Sequence, residues 1–210
     1  MPRVLLINAN TTQGVTQLIE RHARAAVGGE VEFRAVTAAF GAAYISSEAA
    51  YAVAGHAALD CLEREAGGCD AVYLACFGDP GLFALREAAS VPVIGMAEAS
   101  MREAAKRGRF SIVTGGAAWN PILRRLALAL DLSNELVKVR ALPLPGPELA
   151  ARPELMLEEI RKAGEEDGAA TVIIGGAALA GLAGKLKSRV PLIDSVECGA
   201  RAAARACSPT

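Results

Sequence analysis

Two facing α/β lobes, each with a mainly parallel sheet, are what this sequence predicts, and three observations predict them. Short β-rich apolar runs alternate with longer helical patterns, the order of βαβ units. The run Ala71-Val72-Tyr73-Leu74-Ala75-Cys76-Phe77 recurs in pattern as Thr171-Val172-Ile173-Ile174-Gly175-Gly176-Ala177, and Gly81-Leu82 is matched by Gly181-Leu182. Val91-Pro92-Val93-Ile94-Gly95 then recurs as Val190-Pro191-Leu192-Ile193-Asp194, with Glu98 and Glu197 following alike. The halves also open alike, at Arg3-Val4-Leu5-Leu6-Ile7-Asn8 and Arg109-Phe110-Ser111-Ile112-Val113-Thr114. Matches in one order at nearly constant offset mark an internal repeat, so the lobes are expected to be pseudo-symmetric and Rossmann-like. Residues 1–95 with 196–210 are assigned to the first lobe and 96–195 to the second.

The expected strands are 4–8, 31–36, 71–75, 91–94, 110–114, 136–142, 171–174 and 191–193. Helices are expected at 12–27, 47–65, 80–89, 96–107, 118–130, 153–167, 178–186 and 195–206. Asp79 before Pro80 reads as a helix cap followed by proline at the first helical position. The proline-rich run from Leu142 to Pro147 cannot continue a helix or a central strand, and is expected as a surface connection. Asn10 or Thr11 caps the first helix on the plainest reading of the loop that precedes it.

Composition narrows the function. Of 210 residues, 52% are apolar, enough for a real core, and the net charge of −1 offers no basic face for nucleic acid. No run reaches the roughly 18 apolar residues of a membrane span, and Asn8 to Gln13 ends the first apolar run too early for a signal peptide. A cytoplasmic protein acting on a small molecule, with no nucleic-acid or membrane partner, is expected. Alanine-rich helix faces permit packing of identical subunits. The five cysteines, Cys61, Cys69, Cys76, Cys198 and Cys207, include no C-x-x-C pair, and only His22 and His56 could join them at a metal. Neither a zinc site nor a disulfide framework is favoured. None of the lysines reads as a buried Schiff-base amine.

Ligands of open parallel sheets sit beyond the carboxyl ends of the strands. Facing lobes would therefore bring Asn8, Cys76, Thr114 and Gly176 to one cleft. Cys76 ends a buried strand before the loop Phe77-Gly78-Asp79, and a helix start nearby would lower its thiol pKa toward neutrality. A small buried hydrophobe is the plainer reading of a lone cysteine; the loop glycine, the helix start and the repeat favour an acid/base thiol. The loops Asn8-Ala9-Asn10-Thr11-Thr12 and Thr114-Gly115-Gly116 suit donors around a carboxylate or amide oxygen, or simple capping. Neither is a nucleotide fingerprint. Tyr44 or Ile45 could form a wall over the cleft, and His56 reads as packed or solvated.

These residues resemble a known family. Leu6-Ile7-Asn8-Ala9-Asn10-Thr11-Thr12, Ala75-Cys76-Phe77-Gly78-Asp79-Pro80-Gly81-Leu82, Pro92-Val93-Ile94-Gly95 and Phe110-Ser111-Ile112-Val113-Thr114-Gly115 are similar to the aspartate/glutamate/hydantoin racemase superfamily, above all its hydantoin and allantoin racemase branch. The resemblance implies catalysis without metal or cofactor, by two cysteines on opposite faces of a substrate α-carbon. It makes Cys76 the first acid/base residue, with Phe77, Gly78 and Asp79 as its loop. Asn10 and Thr114 would contact substrate, alongside Asn8, Thr11, Ile45, Gly115 and Ala177. The family's second cysteine is replaced here by Gly176, in Gly175-Gly176-Ala177-Ala178-Leu179-Ala180, and Ala9 stands where proline is usual. Cys198 is an alternative thiol.

Three functions fit this pattern. A racemase-type isomerase of a small amide, hydantoin or amino-acid-like carboxylate comes first, and in that case Gly176→Cys should restore inversion. A single-cysteine decarboxylase or cis–trans isomerase of the same fold is the second, although such relatives carry their cysteine in the other half. A binding homologue without chemistry is the third.

Overall fold

A computed structural model describes residues 1–207 of the chain; 208–210, assigned above to the first lobe, lie outside the described residues. The chain order is β1 (Arg3–Asn8), α1 (Gln13–Val27), β2 (Glu32–Thr37), α2 (Glu48–Glu65), β3 (Ala71–Leu74), α3 (Leu82–Ala88), β4 (Val93–Gly95) and α4 (Met96–Ala105). It continues with β5 (Phe110–Gly115), α5 (Trp119–Ala129), β6 (Leu136–Leu142), α6 (Gly146–Ala150), α7 (Pro153–Glu165), β7 (Thr171–Gly175), β8 (Leu192–Asp194) and α8 (Ser195–Ala206). The strands form two parallel sheets, ordered β2-β1-β3-β4 and β6-β5-β7-β8. The repeat seen in sequence is thus a repeat of topology. In each sheet the chain winds both ways from the first strand, so a switch point opens between β1 and β3 and another between β5 and β7.

The strands read as near-continuous apolar runs because both faces are covered. In β5 and β7, Ile112 and Ile173 join the main core with α4 and α8, while Val113, Val172 and Ile174 face α6 and α7. The two sheets share α4 and α8, which pack on each other; α8 lies on β3 and α1, α4 on β7. Tyr73 fixes this crossing: its hydroxyl donates to the Val196 carbonyl at 3.0 Å, and its ring lies against Gly199. At the second sheet's edge Arg140 of β6 is buried, with both Nε and Nη2 donating to Asp167 at 2.8 Å and Nη1 to Glu159 at 2.9 Å. This network joins β6 to α7.

Four expectations need correction. Asp79 does not cap the third helix, which begins only at Leu82 behind Gly81. The predicted helix 178–186 is a short 3-10 turn, Ala177–Leu179, followed by irregular chain. Its pattern is helical by propensity, but Gly181 has φ 76° and packs against His22, which stops a helix there. The proline-rich connection also enters a helix, α6, with Pro147 in its first turn, where the missing N–H costs nothing. Asn10 and Thr11 are not the cap of α1 either; Thr12 holds that position. No helix among the described residues is long and apolar enough to cross a membrane.

Candidate active site

Both switch points open into one cavity of about 480 Å³. Cys76 enters it from the end of β3, Asn10 and Thr12 from the loop after β1, and Thr114, Gly115, Gly176 and Ala177 from the second sheet. Ile45 and Phe77 line it too. The lobes interlock here. A Cβ on Gly175 would fall inside the Phe77 ring, so the residue after Cys76 lies flat on the backbone just before Gly176. Gly175→Ala is expected to cost about 1–3 kcal/mol by overpacking. Urea unfolding followed by Trp119 fluorescence reads it, since Trp119 is the sole tryptophan and lines the cavity.

Asn8, Thr11, Gly78 and Asp79 do not line the cavity; they shape it from behind. Asn8 is fully buried, and its Nδ2 donates to Asn10 Oδ1 and Thr16 Oγ1 at 3.0 Å, while its Oδ1 accepts the Asn10 amide at 3.2 Å. This fixes the loop that carries Asn10. The Thr11 amide donates to the Ala42 carbonyl, tying that loop to the one bearing Tyr44 and Ile45. The Gly78 carbonyl accepts the Tyr51 hydroxyl at 2.8 Å. Sequence reading missed Tyr51, Trp119 and the cavity-lining Pro145, Gly146 and Pro147. They come from helices and a connection whose local patterns carry no sign of a site.

Asp79 takes φ 53°, a left-handed turn that Asp tolerates. The turn swings its carboxylate away from α3 to the start of α4, where Oδ1 accepts the Ala97 amide at 2.9 Å and Oδ2 the Glu98 amide at 2.7 Å. Helix α4 begins behind Gly95, which has no side chain to cap with; the pseudo-equivalent α8 is capped by Asp194 itself, at Val196 and Glu197. The two lobes thus put a carboxylate on matching helix starts from different chain positions. Burial pushes the Asp79 carboxyl up to about 7, against the pull of the two amides. A folded value above the unfolded 3.8 means that its contribution to stability is full below 3.8 and is lost as pH rises through about 7.

Cys76 itself is buried, at 6% exposure. Burial, and then the Asp79 charge, push its thiol well above the usual range, opposite to the sequence expectation. The physical reason is desolvation of the enclosed sulfur, and α3, which begins only at Leu82, six residues on, is not the adjoining helix start the sequence suggests. Asp79→Asn should remove the second of these influences. Iodoacetamide alkylation of Cys76 is then expected to run severalfold faster, with its pH profile moved to lower pH; an unchanged profile would disprove this coupling. The same variant should lack the Asp79-linked stability loss between 3.8 and about 7.

Gly176 lines the same cavity as Cys76. A Cβ there would have ordinary room, 3.8 Å from Thr114 Oγ1, but the backbone has φ 132° and ψ 134°, which favour glycine. The vacancy is therefore one of backbone shape as well as of side chain. Cys198 is no substitute: it lies in a separate pocket with Glu103, Arg107 and Arg201, its Sγ donates to the Ala99 carbonyl at 3.6 Å, and burial pushes it to about 11. All five cysteines are free, and no cluster among the described residues could hold a metal ion.

Such an arrangement defines a class: a two-lobed α/β protein with a small-molecule cavity at paired switch points and a thiol entering from one lobe. Comparison with known proteins places it more closely. A family model described as Asp/Glu/Hydantoin racemase matches residues 4–203. The chain belongs to that family. It is 32% identical over 207 residues to a hydantoin racemase of Pseudomonas sp. (strain NS671), spanning 95% of this chain and 83% of that one. Among solved structures it matches an allantoin racemase from Klebsiella pneumoniae with a TM-score of 0.89 and 34% identity, over 97% of this chain and 86% of that one. The allantoin racemase AllR of Pseudomonas fluorescens gives the same TM-score at 29% identity, over 96% and 88%. The chain is thus a racemase-type isomerase of the hydantoin and allantoin racemase branch.

Proposed function

We propose that the chain interconverts the enantiomers of a small cyclic amide of the hydantoin or allantoin kind, with Cys76 exchanging the proton on one face of the α-carbon. The observation that carries this reading is the position of Cys76, the single thiol of a cavity built at both switch points. The α-hydrogen of such rings is acidic because its electron pair passes into the neighbouring carbonyl as an enolate. In the proposed reaction the Cys76 thiolate takes that proton, and the loop amides at Phe77 and Ala177 hold the enolate oxygen, the electrostatic support on which such chemistry depends. Asn10 orients the ring. Its Oδ1 is already occupied by Asn8 Nδ2 and the Thr12 amide, which leaves its N–H groups to donate to a substrate carbonyl. A cavity of about 480 Å³ with mostly apolar walls and few polar groups suits a ligand of this size.

The test uses one pure enantiomer of a 5-substituted hydantoin, and separately of allantoin, in D2O. Deuterium at the α-carbon and optical rotation are followed together. Label uptake with loss of rotation is the expected result. No exchange with any enantiomer of either ring, while ligands still bind, would replace this reading with that of a binding homologue, for which the burial of Cys76 and the bare Gly176 speak.

A further inference from the structure

Inversion needs a proton carrier on each face of the carbon, and Gly176 supplies none. The cavity lining contains just two ionisable side chains, Cys76 and Tyr44. Tyr44 belongs to the loop after β2 in the first lobe, yet its hydroxyl crosses to the second, donating to the Gly115 carbonyl at 3.3 Å. A Cβ on Gly116 would lie 3.1 Å from the same oxygen. Thr114 pairs with Gly175 at the end of the β5–β7 ladder, so Gly115 and Gly176 each follow directly on its last pair. The phenol therefore stands on the side of the cleft where the repeat leaves its gap. Its side chain is half-buried, and at 3.3 Å its contact with Gly115 is the longest made by a hydroxyl of the lining. The other hydroxyls there are committed: Thr114 Oγ1 donates to the Gly175 carbonyl at 2.7 Å and Thr12 Oγ1 to the Ala43 carbonyl at 2.9 Å.

We propose that Tyr44 is the second acid/base residue, acting opposite Cys76 in place of the missing cysteine; this rests on the assignment of Cys76 above. For one enantiomer the Cys76 thiolate removes the α-proton and becomes a thiol. The carbon–hydrogen electron pair moves into the carbonyl, and the Tyr44 O–H protonates the carbon from the far face, leaving a phenolate. The other enantiomer runs the same steps backwards, with the phenolate as base. A proton returned from the thiol to the phenolate through solvent in the open cleft resets the pair. No oxidant or cofactor enters the balance.

The two faces are separable by experiment. Tyr44→Phe keeps the ring and its packing and removes only the acidic proton. In D2O it is expected to exchange the α-proton of one enantiomer without inverting it, and to lose exchange of the other by about 100-fold or more. Cys76→Ala should show the mirror pattern. A merely structural role for the hydroxyl would slow both enantiomers alike, and that result, or an unaltered Tyr44→Phe enzyme, would overturn the assignment of Tyr44 while leaving Cys76 in place. If Cys76→Ala keeps exchange of both enantiomers, the underlying reading of the site falls instead. Circular dichroism and Trp119 emission confirm that each variant is folded.

Discussion

Cys76→Ala is expected to reduce racemisation by about 10² to 10⁴-fold in both directions, the usual size of a lost general acid or base. Substrate affinity should change little, because the deletion removes a small side chain and leaves in place the groups proposed to hold the ring, Asn10 and the Phe77 and Ala177 amides. The loss should therefore fall on kcat rather than KM. A linked expectation concerns pH. Burial first, and the nearby Asp79 carboxylate second, favour the thiol form of the sulfur; Tyr51 beside it and Tyr44 in the cavity wall are the other titratable groups nearby. Deprotonation then limits the reaction at neutral pH, so kcat/KM should climb between about pH 7 and 9, by up to about tenfold per unit. Rates are corrected for the uncatalysed reaction at each pH. A flat profile over that range would show instead that the sulfur is already ionised when substrate binds.

Arg140→Met is expected to cost about 1–3 kcal/mol of folding stability, because it takes the main cation from the enclosed Asp167 carboxylate and leaves it only Lys138, at 3.7 Å. Asp167 is the group most affected. Burial pushes its carboxyl up, but the hydrogen bonds and charge of Arg140, with help from Lys138 and Ser111, outweigh this and leave it below the ordinary 3.8. A depressed folded-state value means that its stabilisation is present above the unfolded pKa and is lost as pH falls through the folded one. The penalty of Arg140→Met should accordingly be large at pH 7 and shrink in acid, where the stranded carboxylates take up protons. Urea unfolding at pH 7 and near pH 4 measures both values. Equal penalties at the two pH values would show that lost packing of the arginine stem, rather than stranded charge, sets the cost.

Much of this molecule is legible in its sequence. Parallel strands covered on both sides must be apolar along their length, so β1, β3, β5 and β7 announced themselves, and the order of their matches foretold two like sheets. The same repeat set Gly176 against Cys76, and both line the cavity. Asp79 was misread for a definite reason. Asp-Pro is a local signal for a helix start, yet the carboxylate answers to unpaired amides of α4, distant in sequence and close in space.

The sequence by itself therefore determined the duplicated α/β architecture, the strand ends that carry the site and the family, since all of these follow from local periodicity and from residues compared with their own repeat. The tertiary structure alone decided the state of the Cys76 thiol, the glycine backbone at 176 and the reach of Tyr44 across to Gly115. These depend on desolvation, on a loop's torsion angles and on contacts between lobes. Such quantities arise only when segments far apart in the chain are brought together.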